Sequence, residues 1–176
     1  MDRKQIAQRI VDTALLRGDF TLRSGRKSKY YMDKYLFETQ PDILAELGKL
    51  FAEHVKAAGK IDRLAGAELG GIPLVTAASM ATGLPSVLIR NQKKDYGTAK
   101  QLEGKLEKGE RILIVEDVAT TGGQVLEAAN VIKGMGCEVV KIVAVIDRQE
   151  GARENIEKAG FKFDALFTKA DLGINE

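Results

Sequence analysis

Ile112-Leu113-Ile114-Val115-Glu116-Asp117-Val118-Ala119-Thr120-Thr121-Gly122-Gly123-Gln124 is the stretch whose reading decides the fold. Its first four residues are apolar and largely β-branched, the composition of a short buried strand. Two adjacent carboxylates end that strand, and a turn of small and hydroxyl-bearing residues follows. Val125, Leu126, Ala129 and Ile132 then recur at helical spacing, so the turn opens onto a helix. This order makes an anion cradle, with free N–H groups at the helix N-terminus, threonine hydroxyls beside them and glycines allowing close approach. Phosphate loops of the G-x-x-x-x-G-K-[ST] type build a similar cradle, but no such run occurs here. The acid pair adds acceptors for hydroxyls of the same ligand, with Mg²⁺ as a companion. An ordinary strand-to-helix turn with solvated acids would share parts of the pattern.

Outward from this stretch, the chain alternates strand and helix from Arg63 onward, the mark of an α/β fold with a mostly parallel sheet flanked by helices. Strands are expected at about 63–67, 86–90, 111–116, 138–146 and 162–167, and helices at about 72–82, 123–134 and 150–160. Right-handed crossovers gather the C-terminal strand ends on one edge, where open α/β sheets bind ligands. The loops that matter therefore follow Ala67, Arg90, Val115 and Ile146.

The first of these is Glu68-Leu69-Gly70-Gly71-Ile72-Pro73. Paired glycines admit backbone conformations closed to other residues, and Pro73 suits the first turn of the next helix. Free N–H groups there offer a second anion site; a tight turn with packing duties alone is the other reading. After Arg90 a long loop runs from Asn91 to about Glu110, carrying Lys93, Lys94, Lys100, Lys105 and Lys108 among Asp95, Tyr96 and Gly97. Loops beyond ~12–15 residues are uncommon in compact domains unless they are lids or disordered. A cation-bearing lid here would close over the site, exclude water and neutralise a leaving anion; a solvated surface hairpin is the bland alternative. Val143-Ala144-Val145-Ile146 runs into Asp147-Arg148-Gln149-Glu150, where Arg148 offers a planar fork to a carboxylate or a salt bridge to Asp147 or Glu150.

Ahead of the alternating region, Ile6, Ile10, Val11, Ala14 and Leu15 give residues 2–16 one apolar helical face ending near Gly18. Phe20-Thr21-Leu22-Arg23-Ser24-Gly25-Arg26-Lys27-Ser28-Lys29-Tyr30-Tyr31-Met32-Asp33 reads as two strands around a Ser-Gly turn, locally basic and compatible with a solvated edge hairpin. Pro41 starts a long helix that Gly59 ends. His54 borders its apolar stripe and reads as packing, having no second histidine or cysteine near it for a metal site.

The bulk numbers bound the rest. A chain of 176 residues is expected to be a single domain, able to bury roughly 70% of its unfolded surface. A 44% apolar and 30% charged composition fits a globular protein. No apolar run approaches the ~20 residues of a membrane span, and Asp2, Arg3, Lys4 and Gln5 do not begin a signal peptide. The lone Cys137 excludes an internal disulfide framework and fits a reducing cytoplasm. A net charge of +2 is too small to imply nucleic acid. No membrane and no nucleic-acid partner are expected.

The central stretch resembles the phosphoribosyl pyrophosphate motif of the type I phosphoribosyltransferases: a hydrophobic strand, two acids and a Thr/Gly loop. Three further features resemble the orotate branch of that family over nearly the whole chain. They are Phe20 to Ser28 with Tyr30-Tyr31, similar to its base-covering hood; Arg90 with Lys94-Asp95-Tyr96-Gly97, similar to its mobile catalytic loop; and Ile146 to Gly151 around Arg148. The resemblance implies a type I phosphoribosyltransferase fold, with about 1–40 contributing a small N-terminal hood and about 91–110 the mobile loop. It implies transfer of the phosphoribosyl group from phosphoribosyl pyrophosphate to N1 of orotate in pyrimidine biosynthesis, with Mg²⁺ held mainly by substrate and water.

Among residues, it implies Lys94, Arg90 and Asp117 as catalytic, with Lys94 the main lid cation and general acid. Phosphoribosyl pyrophosphate would meet Arg90, Lys94, Tyr96, Glu116, Asp117, Val118, Ala119, Thr120, Thr121, Gly122, Gly123 and Gln124, and its pyrophosphate the turn at Leu69 and Gly70. Orotate would meet Thr120, Arg148, Arg23 and Tyr31. A homodimer is implied, its lid reaching the neighbouring site. Departures are Asn91 and Gly70 where many bacterial relatives carry lysine, Tyr96 in place of a histidine, and Arg23 in place of a lysine. The rivals are a transferase for another base and a non-catalytic sensor of phosphoribosyl pyrophosphate on the same fold.

Overall fold

The computed structural model describes residues 1–21, 25, 27–91 and 101–174. Asp2 caps the first helix, α1 (Arg3–Ala14), in a reciprocal box: its carboxylate accepts from Gln5 N, and the Gln5 side chain accepts from Asp2 N, both at 2.8 Å. Ile6, Ile10 and Ala14 bury the apolar face that the sequence predicts. The helix nevertheless ends at Ala14, because β1 (Leu15–Thr21) begins at once and pairs antiparallel with β2 (Lys27–Met32), Leu15 opposite Met32. The expected hairpin thus reaches back into residues expected to be helical. A short helix, α2 (Lys34–Glu38), follows, which the periodicity of the sequence does not reveal. Next is α3 (Pro41–Ala57), with Pro41 in its first turn as expected.

From Arg63 every predicted strand and helix is present, with one strand, β5, added inside the expected loop: β3 (Arg63–Ala67), α4 (Gly71–Thr82), β4 (Ser86–Ile89), β5 (Leu102–Glu103), β6 (Arg111–Ala119), α5 (Gly123–Gly134), β7 (Glu138–Asp147), α6 (Ala152–Lys158) and β8 (Phe163–Thr168). The sheet order is β5-β4-β3-β6-β7-β8. All neighbours are parallel except the edge strand β5, which runs antiparallel to β4. Side-chain alternation along β6 builds two cores. Leu113 and Val115 pack with Ile10, Phe37, Phe51 and Leu74 of the helices before the sheet and after β3. Ile112 and Ile114 pack with Val125, Ala129, Ile132 and Ile156 of α5 and α6. Burial on both faces explains why these strands read as continuous apolar runs.

Two boundaries differ from expectation where it matters. β6 does not end at the acids, as the expected 111–116 strand does: β7 runs beside it, pairing Val118 with Ile146 and Ala119 with Asp147, so Glu116 and Asp117 lie inside the strand. The loop expected over 91–110 is pinned in its second half. Arg90 N donates to Gln101 O at 2.8 Å, Leu102 and Glu103 pair with β4, and Leu102 is buried. At its far end Arg63 grips Glu110 through two bonds of 2.9 and 2.8 Å. No helix among the described residues is long and apolar enough to cross a membrane.

Candidate active site

The turn after β6 has the form of the predicted cradle. Gly122 takes a φ of +82° and caps α5, a conformation that glycine adopts at little cost. Space demands it too, since a Cβ there would lie 3.0 Å from Ile156 Cγ1. Asn155 Nδ2 donates to Thr121 O at 2.9 Å and fixes the turn from the α6 side. Thr121, Gly123 and Gln124 are exposed around the first N–H groups of α5, which have no carbonyl one turn back to serve.

The acid pair is buried: Glu116 is 8% exposed and Asp117 4%. Glu116 Oε1 accepts from Asp117 N at 2.9 Å, and Asp117 Oδ1 accepts from Val118 N. Asp117 Oδ2 accepts from Lys34 Nζ at 2.5 Å. Lys34 and Glu38 lie one turn apart on α2, on the same face, and neither was singled out from the sequence. Burial alone would lower the Lys34 ammonium's pKa, but the Asp117 carboxylate outweighs it and the net shift is upward. Burial raises the Glu116 carboxyl, with Asp117 adding to it. Glu38, 1% exposed, is pushed up from 4.5 to about 8, by burial first and then by Asp117.

Glu38 therefore makes stability pH-dependent. Between about 4.5 and about 8 the folded chain keeps a proton that the unfolded chain releases, so rising pH favours unfolding. The stability is fully present below about 4.5 and is lost as pH rises through about 8. At up to ~1.4 kcal/mol per pH unit the total reaches a few kcal/mol. Melting curves from pH 5 to 9 should show Tm falling more steeply for the wild type than for Glu38→Gln. Equal slopes would mean that Glu38 is not the group responsible.

The loop after β3 abuts the acids. Its Glu68–Leu69 peptide bond is cis, Leu69 is 65% exposed, and Gly70 precedes α4. The sequence reading that these glycines supply unusual backbone angles is corrected: Gly70 has φ −65° and ψ −30°, open to any residue. Space is the reason instead. A Cβ on Gly70 would sit 1.8 Å from Asp117 Oδ2, and one on Gly71 3.2 Å from the Gly66 backbone.

Asn91 ties two loops together, its N donating to Glu68 Oε1 at 2.8 Å and its Oδ1 accepting from Gln124 Nε2 at 3.2 Å. In the sequence Asn91 shows only as the absence of a cation, where many bacterial relatives carry lysine. Arg90 is beside it, with its Nη1 3.7 Å from Glu103 Oε1 and its buried Nε without a hydrogen-bond partner among the described residues. Lys94 and Tyr96 lie outside the described residues.

On the other flank, Arg148 N donates to Ala119 O at 3.0 Å, which sets Arg148 next to Thr120. Its Nη2 pairs with Glu150 Oε1 at 2.9 Å, one of the two partners that its salt-bridge reading named. In the hood, Tyr31 is 44% exposed and its ring lies 5.7 Å from that of Phe20. Arg23 lies outside the described residues. The structure thus brings together Glu116, Asp117, Gly70, Asn91, the 120–124 turn and Arg148, and adds Lys34 and Glu38.

Comparison with known proteins bears on the fold and the family. The phosphoribosyl transferase domain model matches residues 36–169. Orotate phosphoribosyltransferase of Pyrococcus abyssi is 44% identical over 172 residues, spanning 97% of this chain and 94% of that protein. The crystal structure of Mycobacterium tuberculosis orotate phosphoribosyltransferase in complex with Fe(III) dicitrate superposes with a TM-score of 0.88 at 34% identity, covering 98% of this chain and 99% of that one. The same enzyme in complex with 5-phospho-alpha-D-ribosyl 1-diphosphate gives a TM-score of 0.84 at 33% identity, with coverage of 98% and 99%. At that identity and over that much of each chain, common descent accounts for the likeness, and this chain belongs to the phosphoribosyltransferase family, among the orotate phosphoribosyltransferases.

Proposed function

We propose that this chain transfers the phosphoribosyl group of phosphoribosyl pyrophosphate to N1 of orotate, releasing pyrophosphate and giving orotidine 5′-monophosphate for pyrimidine biosynthesis. The observation that carries the reading is the adjacency of three groups on one sheet edge: a buried acid pair, a threonine–glycine anion cradle and, one hydrogen bond away, Arg148. Thr120 to Gln124 receive the 5′-phosphate on the first N–H groups of α5. Glu116 and Asp117 orient the ribose hydroxyls. The Leu69–Gly70 turn, Arg90, Lys94 and Tyr96 face the pyrophosphate, while Thr120, Arg148, Arg23 and Tyr31 hold orotate. As the bond from C1 to pyrophosphate breaks, the sugar becomes oxocarbenium-like, Lys94 donates a proton to the leaving oxygen or holds its ammonium against it, and orotate N1, its proton released to solvent, bonds to C1 from the opposite face. Catalysis is then mostly positioning and electrostatic stabilisation.

The donors present fit Mg²⁺ held through substrate oxygens and water. Asp117 is engaged by Lys34 and Val118 N, Glu116 by Asp117 N, and among the described residues no three His, Cys, Asp or Glu side chains are grouped to hold a metal. Mg²⁺ commonly takes one or two carboxylates plus phosphate oxygens and water; when bound it would neutralise charge on the pyrophosphate. A homodimer is part of the reading. The support is an apolar groove of about 850 Å³ between α3 and α4, lined by Pro41, Leu44, Pro73 and Met80, with Met80 83% exposed. The single thiol of Cys137 suits a reducing cytoplasm.

The test is incubation with Mg²⁺, phosphoribosyl pyrophosphate and a panel of bases, following the loss of each base. Orotate alone should be consumed at a substantial rate. Consumption of a purine instead would give the activity to another base, and none at all would favour a sensor. Arg148→Ala should weaken orotate binding by ~10-fold or more, the scale of a charged fork lost from a carboxylate. Binding of phosphoribosyl pyrophosphate, measured by calorimetry, should stay within about threefold. Equal losses for both ligands would leave Arg148 only its salt bridge with Glu150.

A further inference from the structure

Lys34 and Glu38 stand in the wall of the site, and the reaction as described above uses neither. Lys34 opens α2, and its ammonium lies 2.5 Å from Asp117 Oδ2, with 30% of the lysine side chain and 6% of the aspartate side chain exposed. The same Oδ2 touches Gly70, where a Cβ would fall 1.8 Å from it and 3.1 Å from Glu38 Oε1. Ammonium, carboxylate and the Leu69–Gly70 turn are therefore immediate neighbours. A lysine ammonium carries three N–H donors; Asp117 takes one, and the face of Tyr35 lies 5.3 Å away. Glu38 sits beside this ammonium, yet neither of its buried oxygens has a hydrogen-bond partner among the described residues. Its raised pKa keeps it protonated at neutral pH, so Lys34's charge is not spent on it. A part-exposed cation with spare donors, next to a turn proposed above to take a pyrophosphate group, is placed for that anion.

We propose that Lys34 is a substrate-binding residue of this enzyme: its ammonium bridges Asp117 Oδ2 and the pyrophosphate group of phosphoribosyl pyrophosphate at the Leu69–Gly70 turn. This rests on the phosphoribosyl reading of the site and assigns it a cation that no motif supplied. The bridge ties the carboxylate that orients the ribose to the group that leaves it. A lysine suits the task because its flexible stem and three rotatable donors adapt to two acceptors at once. The cation comes from α2 because Gly70 cannot carry a side chain without displacing Asp117.

The experiment is calorimetric titration of wild type, Lys34→Gln and Lys34→Arg, each with Mg²⁺, using inorganic pyrophosphate, phosphoribosyl pyrophosphate and orotidine 5′-monophosphate. Lys34→Gln should weaken the two pyrophosphate ligands by about tenfold or more, as expected for one charge-assisted bond lost. It should change the mononucleotide by less than about threefold, and Lys34→Arg should recover part of the loss. Unchanged pyrophosphate binding, or equal weakening of all three ligands, would overturn the proposal, the second result meaning that Lys34 only shapes Asp117. Should Lys34→Gln not fold, reductive methylation of the wild type followed by mass spectrometry decides. Protection of Lys34 by pyrophosphate supports the bridge, and equal labelling with and without it overturns the bridge. A wild type that makes no orotidine 5′-monophosphate would remove the activity instead, which these binding measurements distinguish.

Discussion

Asp117→Asn is expected to lower kcat/KM for phosphoribosyl pyrophosphate by about 10²- to 10³-fold, the scale seen when one preorganised group at a reacting centre is removed. Both Asp117 oxygens accept in the structure, one from Val118 N and one from Lys34 Nζ. An amide turns one of them into a donor, so an N–H group would face either the Val118 amide or the Lys34 ammonium. The ribose hydroxyls lose an acceptor, and Lys34 loses its counter-charge. Stability should fall as well, by roughly 1–3 kcal/mol, less than the 3–5 kcal/mol for breaking a fully buried pair because Lys34 is 30% exposed. Steady-state kinetics beside a melting curve separate the two effects. Glu116→Gln is the contrast. Burial favours the neutral form of Glu116, which glutamine imitates, so its loss should stay below ~10-fold. Equal losses in the two variants would mean that the acids act as a charge pair and not with Asp117 as the acceptor.

That division of labour within the acid pair was not legible in the sequence, though much around it was. Strands β3, β4, β6, β7 and β8 announced themselves because parallel strands covered on both faces need apolar residues at every position, as Ile112 to Val115 and Val143 to Ile146 supply; β5, two residues long and antiparallel at the edge, gave no such run. Their C-terminal ends then fixed where Glu116, Asp117 and Arg148 had to meet. The end of β6 was less legible, since the pairing that extends it comes from β7, far along the chain. Lys34 and Glu38 escaped for a different reason. A helix of five residues gives no period to read, and a lysine four residues before a glutamate ordinarily signals a solvated face. Only the packing of Phe37 into the core turns that face inward to the acids. Gly70 carried a readable signal with the wrong cause attached. A glycine beside a predicted acid pair marks close approach as readily as an unusual φ, and the distance to Asp117 decides between them.

Lys94→Ala is expected to lower kcat by at least ~10²-fold, the lower scale for losing a proton-transfer or charge-stabilising group, with orotate affinity little changed. The ends of the segment that carries Lys94 are held in place. Asn91 is clasped to Glu68 and Gln124, and Gln101 to Arg90, so both ends are fixed beside the loop after β3 and the 120–124 turn. Lys94 follows Asn91 by three positions. The bond that breaks leaves negative charge on pyrophosphate, and Asn91 and Gly70 add no cation of their own. Lys34 on this account holds the ground state as firmly as the transition state, so it supports binding more than turnover. Lys94 is then the group whose contribution grows as the bond opens. Lys94→Arg separates its two capacities: a guanidinium keeps the charge but gives up no proton near neutral pH. Recovery of most of the turnover in Lys94→Arg would assign the residue to charge stabilisation. Turnover near that of Lys94→Ala would assign it to proton transfer, and wild-type turnover in Lys94→Ala would remove it from the mechanism.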